Sequence, residues 1–190
     1  MGTTALLVMD VQNGIVARVP SEAEALLARL GELTASARST GVPVVHVRVA
    51  FRPDGADISS HNKAFSAIAA STSMGLDDPA TQIHPAVGPE TGDVVVVKKR
   101  VSAFTGSDLE VVLRSLDVTS LVLTGIATSG VVLSTLRQAA DLDYELTVLE
   151  DGCADADPEV HRVLMEKVFP RQASVITTRE WITGRAQAVD

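Results

Sequence analysis

Ala5-Leu6-Leu7-Val8-Met9-Asp10-Val11-Gln12-Asn13 opens on five consecutive apolar residues and turns polar at Asp10. A strand with one wet face alternates apolar and polar residues, whereas a strand covered on both faces is apolar throughout. Residues 5–9 therefore predict a central strand of a parallel sheet with helices above and below it. Asp10 falls at the carboxyl end of that strand.

Working outward, the same pattern recurs. Apolar strand-like runs are expected at 42–49, 93–98, 120–124, 145–149 and 174–177, with four consecutive valines in the second of these. Helical segments separate them. Ser21 and Glu24 fit a capping box, Leu26, Leu30, Leu33 and Ala37 follow at helical spacing, and Gly41 suits the position just past the helix end. Further helices are expected at about 62–71, 107–115 and 128–141. Another starts at Asp157 as N-cap and Pro158, with Val160, Val163, Leu164 and Val168 on one face, and a short one lies near Trp181. Strands alternating with helices make this an α/β chain: a three-layer α/β/α fold around a six-stranded, mainly parallel sheet, with residues 1–190 as a single domain. Residues 72–92 read as mostly irregular. A loop of that length is more often functional than accidental, and it is the candidate for a lid or an oligomer contact.

Composition narrows the function. A chain of 190 residues buries enough apolar surface to need neither disulfide nor metal. Only 3% of residues are aromatic, so Val, Leu, Ile and Ala must build the core. The formal net charge of −8 argues against a nucleic acid or an anionic membrane surface as partner. The longest basic cluster is Lys98-Lys99-Arg100, at the end of an apolar strand. Cys153 is the single cysteine, which points to a reducing compartment. The first residues run into the apolar segment without a basic leader, and no stretch reaches membrane-spanning length, so a cytoplasmic location is expected.

Ligands of open parallel sheets bind beyond the carboxyl ends of the strands. Three such ends carry chemistry here: Asp10; Lys98, in Lys98-Lys99-Arg100-Val101-Ser102-Ala103-Phe104; and the turn Thr124-Gly125-Ile126-Ala127-Thr128-Ser129-Gly130. Taken singly, Asp10 is a turn cap and Lys98 a surface lysine. The turn is then an ordinary connection capped by Thr128 or Ser129. Taken together they supply a carboxylate, an ammonium and a nest of backbone N–H donors. Those are parts for acid–base work and for holding a developing oxyanion.

At these residues the chain resembles the isochorismatase-like hydrolases, the superfamily of cysteine amidohydrolases such as nicotinamidase and N-carbamoylsarcosine amidase. The likeness rests on Leu7 to Asn13, on Lys98 to Phe104 with Gly106, Asp108 and Leu109, and on Thr124 to Val132. Glu150-Asp151-Gly152-Cys153-Ala154-Asp155, followed by Glu159 and His161, adds a fourth motif in the expected order. The resemblance implies a sheet covered on both faces and a homo-oligomer, dimer or tetramer. It implies Asp10 as general base or acid, and Lys98 as the lysine that positions and polarises a small-molecule substrate. The Ile126–Ala127 bond matches the family's cis non-proline peptide, with Ile126, Ala127, Gly130 and Val131 as the oxyanion-hole segment. Gln12, Phe104, Thr128 and Ser129 are pocket candidates on the same grounds.

One position departs from the family. Its nucleophilic cysteine would fall one residue after Gly130, where this chain has Val131. A covalent thioester cannot form there. Cys153 is the other thiol, with nothing basic beside it in sequence, and Ser129 and Ser134 have no assignable histidine among His46, His61, His84 and His161. No metal is expected, since Asp54, Asp57 and His61 read as solvated loop residues without ligand spacing. No cofactor is expected either, because strand one is not followed by Gly-x-Gly-x-x-Gly. The leading expectation is a hydrolase that works without a cysteine intermediate, as in vinyl-ether cleavage with Asp10 as acid. A binding or regulatory member without turnover comes second, and an amide hydrolase using Cys153 third.

Overall fold

Successive side chains of a strand leave to opposite faces, and β1 (Thr3–Met9) puts apolar groups on both. Ala5, Leu7 and Met9 enter one buried apolar cluster, while Leu6 and Val8 enter the other. The computed structural model describes residues 3–71 and 74–187. Around β1 stand β2 (Val44–Val49), β3 (Val94–Lys98), β4 (Val118–Ile126), β5 (Glu145–Ala154) and β6 (Ser174–Ile176). They form one sheet in the order β3-β2-β1-β4-β5-β6, and every neighbouring pair is parallel. The α/β/α expectation is met.

The helices are α1 (Asn13–Val16), α2 (Ala23–Ser39), α3 (Lys63–Ser71), α4 (Leu109–Ser115), α5 (Leu133–Asp141), α6 (Pro158–Val163) and α7 (Thr178–Gln187). Leu26, Leu30 and Leu33 of α2 and Trp181 of α7 pack with Leu6 and Val8 on one face. Leu109 and Leu113 of α4, with Leu136 and Ala139 of α5, pack with Leu7 and Met9 on the other. No helix among the described residues is long and apolar enough to cross a membrane.

The end of α2 follows the sequence expectation. Gly41 has φ +70, its N–H bonds to Arg38 O at 3.1 Å, and Val42 N–H reaches back to Ala37 O at 2.8 Å. That paired closure satisfies two carbonyls of the last turn. The capping box at its start does not form. Glu22 is the N-cap and its side chain caps nothing. The N–H groups of Glu22 and Ala23 both find Val19 O, at 3.1 and 3.0 Å, so the preceding turn already does the work expected of Ser21.

Further boundaries differ: β4 spans Val118–Ile126 rather than 120–124, and α6 stops at Val163, with a wider π-type turn over Leu164–Val168. β5 runs five residues past the expected end at 149, and Cys153 lies inside the strand, opposite Gly125 of β4, rather than after it. The stretch 72–92 contains two short 3₁₀ turns, Pro79–Thr81 and Pro85–Val87. Its residues 72 and 73 lie outside the described residues.

The strand order places a reversal between β1 and β4: the chain winds outward through β2 and β3 on one side and through β5 and β6 on the other. Loops diverge at such a point and leave a crevice beyond the carboxyl ends. Asp10 and the Ile126–Ala127 segment flank it.

Candidate active site

Asp10 leaves β1 in the left-handed region, φ +56, with its N–H on Val47 O at 2.8 Å. Asp tolerates that backbone better than most residues. Its carboxyl is buried, and Lys98 Nζ stands 2.9 Å from Oδ2. Lys98 ends β3 and reaches across the end of β2 to do so. Its other two contacts are the carbonyls of Arg100 at 2.9 Å and Val101 at 3.0 Å. An ammonium has three hydrogens, and all three are engaged. Lys98 therefore fixes the carboxyl and the turn after β3, with no proton left over for a ligand. The polarising part of its expected role is corrected accordingly.

The second carboxyl oxygen is different. Asp10 Oδ1 is buried and has no hydrogen-bond partner among the described residues. Burial raises the Asp10 pKa to about 6, against the lowering effect of the Lys98 charge and hydrogen bond. Burial outweighs the cation.

At the end of β4, Gly125 (φ +140) lies so close to β1 that a Cβ would collide with the Met9 carbonyl oxygen. The peptide bond Ile126–Ala127 is cis. Residues Thr128–Val132 then form a wide π-type turn that leads into α5. Within it Gly130 N–H is turned onto Ala127 O at 3.0 Å, so the turn itself engages that expected oxyanion donor. Neither Thr128 nor Ser129 caps the helix with its side chain. Asp155 does so from β5's far end, taking Ser129 N–H at 2.7 Å, and Thr128 Oγ1 pairs with His161 Nδ1 at 2.8 Å.

A cavity of about 300 Å³ opens beyond these strand ends. It brings together Asp10, Lys98, Ile126, Ala127, Gly130 and Val131. Much of the remaining wall is apolar, with Ile15, Val19, Val49, Phe65 and Met74, and Arg18 is an exposed member of the lining. The four pocket candidates do not line it. Gln12 is buried and clamps the end of β2, accepting from Val49 N at 2.8 Å and donating to the carbonyls of Val49 (2.9 Å) and Thr81 (2.6 Å). Phe104 packs in the core against the Tyr144 ring, 6.1 Å away. Thr128 and Ser129 are held by the His161 and Asp155 contacts on the far side of the turn.

Cys153 does not line the cavity either. It is buried, its Sγ faces Leu123 O at 3.9 Å, and burial pushes its pKa up to about 12. A thiol in that state is a poor nucleophile. Asp57 departs from the solvated reading: it pairs with Lys99 at 3.5 Å and accepts the Arg52 N–H at 3.1 Å. Among the described residues no cluster of His, Cys, Asp or Glu is arranged to hold a metal ion.

Residues 4–180 match the family model of the isochorismatase domain. The chain belongs to the isochorismatase family. It is 36% identical over 180 residues to the isochorismatase family protein YecD of Escherichia coli O157:H7, with 94% of each chain covered. The ureidoacrylate amidohydrolase RutB of Methylobacterium radiotolerans is 31% identical over 188 residues, covering 87% of this chain and 73% of its own length. A solved isochorismatase family structure from Burkholderia thailandensis superposes with a TM-score of 0.84 at 31% identity, covering 97% of this chain and 96% of its own. This is a family of hydrolases, and an amidohydrolase is among the relatives.

Sequence reasoning missed Arg18, Phe65 and Met74 in the wall, and Asp155 and His161 as supports of the 126–132 turn. A signal for Arg18 was present. Residues 10–22 connect the end of β1 to α2, so this connection starts at the carboxyl edge where ligands bind. Phe65 and Met74 come from α3 and the stretch after it, which no strand-end argument reaches.

Proposed function

We propose that this chain is an isochorismatase-family hydrolase that acts on a small molecule without a covalent cysteine intermediate, with Asp10 as its acid. The observation that carries the reading is Asp10 Oδ1, buried in the cavity wall, unpartnered, on a carboxyl raised to about pKa 6. A group poised near the working pH can both give and retake a proton. Oδ2 is tied to Lys98, so Oδ1 is the oxygen left for the exchange.

Vinyl-ether cleavage suits these parts. Protonated Asp10 transfers its proton to the terminal carbon of the C=C bond, and the ether carbon becomes an oxocarbenium ion. Water adds to that carbon and returns a proton to the Asp10 carboxylate. The hemiketal then collapses to a ketone and an alcohol, with one water consumed. No step calls for a nucleophile at 131, where the cavity presents Val131. The buried, high-pKa Cys153 supports no competing thiol route.

The test is pyruvate release from isochorismate, with Asp10→Asn as control. Activity is expected in the wild type, falling as pH rises through about 6 while Asp10 ionises. Pyruvate release no greater than that of the Asp10→Asn variant removes the proposal. Val131 equally favours a member that binds without turnover. A tightly held ligand with no product would establish that second reading.

A further inference from the structure

The cavity has a charge opposite in sign to that of the molecule. The chain's formal net charge is −8, yet the charged groups lining the cavity are Asp10, Arg18 and Lys98. Asp10 and Lys98 face each other at 2.9 Å and compensate one another. Arg18 is left over. No hydrogen bond or ion pair engages its guanidinium among the described residues. It is also exposed, whereas Asp10 and Lys98 are buried, so Arg18 stands at the rim and the pair on the floor.

The backbone fixes that position. Arg18 N–H bonds to Ile15 O at 3.0 Å and Val19 N–H to Val16 O at 3.1 Å, so two tight turns follow α1 directly. Val19 is buried in the core beside them. At the start of α1, Asn13 Nδ2 is anchored on Pro79 O at 2.9 Å. Between rim and floor the wall is apolar. Phe65 contributes a ring held edge-on by Phe51, with centroids 5.1 Å apart at 66°.

A guanidinium carries five donors in a planar fork that matches the two oxygens of a carboxylate. Lys98 cannot compete for that anion, because its three hydrogens are engaged. We propose that Arg18 is the specificity residue of this cavity, and that its ligands are small carboxylates with an apolar body. The carboxylate sits on Arg18 at the rim, and the apolar body lies along Ile15, Val19 and Phe65 toward the floor. This rests on the cavity being the reaction site, but it does not depend on the reaction being vinyl-ether cleavage.

The experiment is calorimetric titration at pH 7.5 and low salt with two probes of one shape, benzoate and benzamide. A charge-assisted pair at an exposed rim sets benzoate ahead of benzamide by about two- to fivefold in the wild type at low salt. Arg18→Met abolishes the preference, and Arg18→Lys keeps part of it. Asp10→Asn retains the preference although it loses turnover, so failure of the acid chemistry and failure of the Arg18 assignment give different results. Equal affinity for the two probes in the wild type, no benzoate binding, or an undiminished preference in Arg18→Met would each overturn the proposal.

Discussion

The two oxygens of Asp10 have different fates, and the division is made by Lys98. Oδ2 is held at 2.9 Å while Oδ1 is buried and bare. Because the Lys98 charge and hydrogen bond lower the Asp10 pKa, removing them must raise it. Lys98→Met is therefore expected to move the descending limb of the pH–rate profile to higher pH, by roughly one unit or more. An unmoved limb would show that Lys98 does not hold the acid. Val131 gives a second test. It is buried but lines the cavity near the end of the wide turn, whereas Cys153 is buried away from the cavity with a pKa of about 12. Val131→Cys is expected to yield a thiol that iodoacetamide labels in the folded protein, while the wild type stays unlabelled until it is denatured. Labelling of the folded wild type would contradict the burial of Cys153. At this scale the sequence made Asp10 and Lys98 legible because strand ends are legible. It could not reveal that Lys98's hydrogens go to Arg100 and Val101, since that depends on how the turn after β3 folds back.

Among the elements, the carboxyl end of β4 is under the tightest constraint. Gly125 pairs with Met9 of β1 on one side and Cys153 of β5 on the other, at a φ open to glycine but rarely to other residues. A Cβ there would strike the Met9 carbonyl oxygen, which is backbone and cannot swing aside. Gly125→Ala is expected to cost about 2–4 kcal/mol in denaturant unfolding, through strain and forced separation of two central strands. It should also displace the 126–131 segment and lower activity in the protein that does fold. Wild-type stability in Gly125→Ala would mean that β4 can retract from β1. Most elements were legible, because apolar runs and helical spacing recur along the chain; the four-residue α1 was not, being too short to show a period. Element ends were less so. β5 continues through Glu150, Asp151 and Gly152, polar or flexible residues that end a strand on local grounds, because β4 beside it continues to Ile126 and pairs again at Cys153 and Ala154. The cap of the turn at 128 was misread for a related reason: Asp155 supplies it from 26 residues away, and no local pattern encodes that contact.

For the whole molecule, stability against pH records the same buried groups. His46 lies in β2 with Nε2 on Asp93 Oδ2 at 3.1 Å, and burial lowers its pKa. Its contribution is present above the unfolded value near 6.5 and fades on acidification, as the unfolded chain takes up the proton first. Asp10 acts in the opposite sense. Its folded pKa of about 6 lies above the unfolded 3.8, so its contribution is full below 3.8 and is lost as pH rises through 6. Acidifying from pH 7 to 5 therefore returns under half of that contribution, about 1 kcal/mol. His46 and the remaining carboxylates titrate in both wild type and Asp10→Asn, so the difference between the two proteins isolates Asp10. The wild type is expected to gain 2–4 °C in Tm over Asp10→Asn between pH 7 and pH 5, the size that about 1 kcal/mol produces in a chain of this length. The sign matters more than the size. A salt-bridged surface aspartate would give no gain over this interval, and the wild type would lose ground only below about pH 5. Parallel melting temperatures across that interval would mean that burial does not raise Asp10, and the acid role would lose its support.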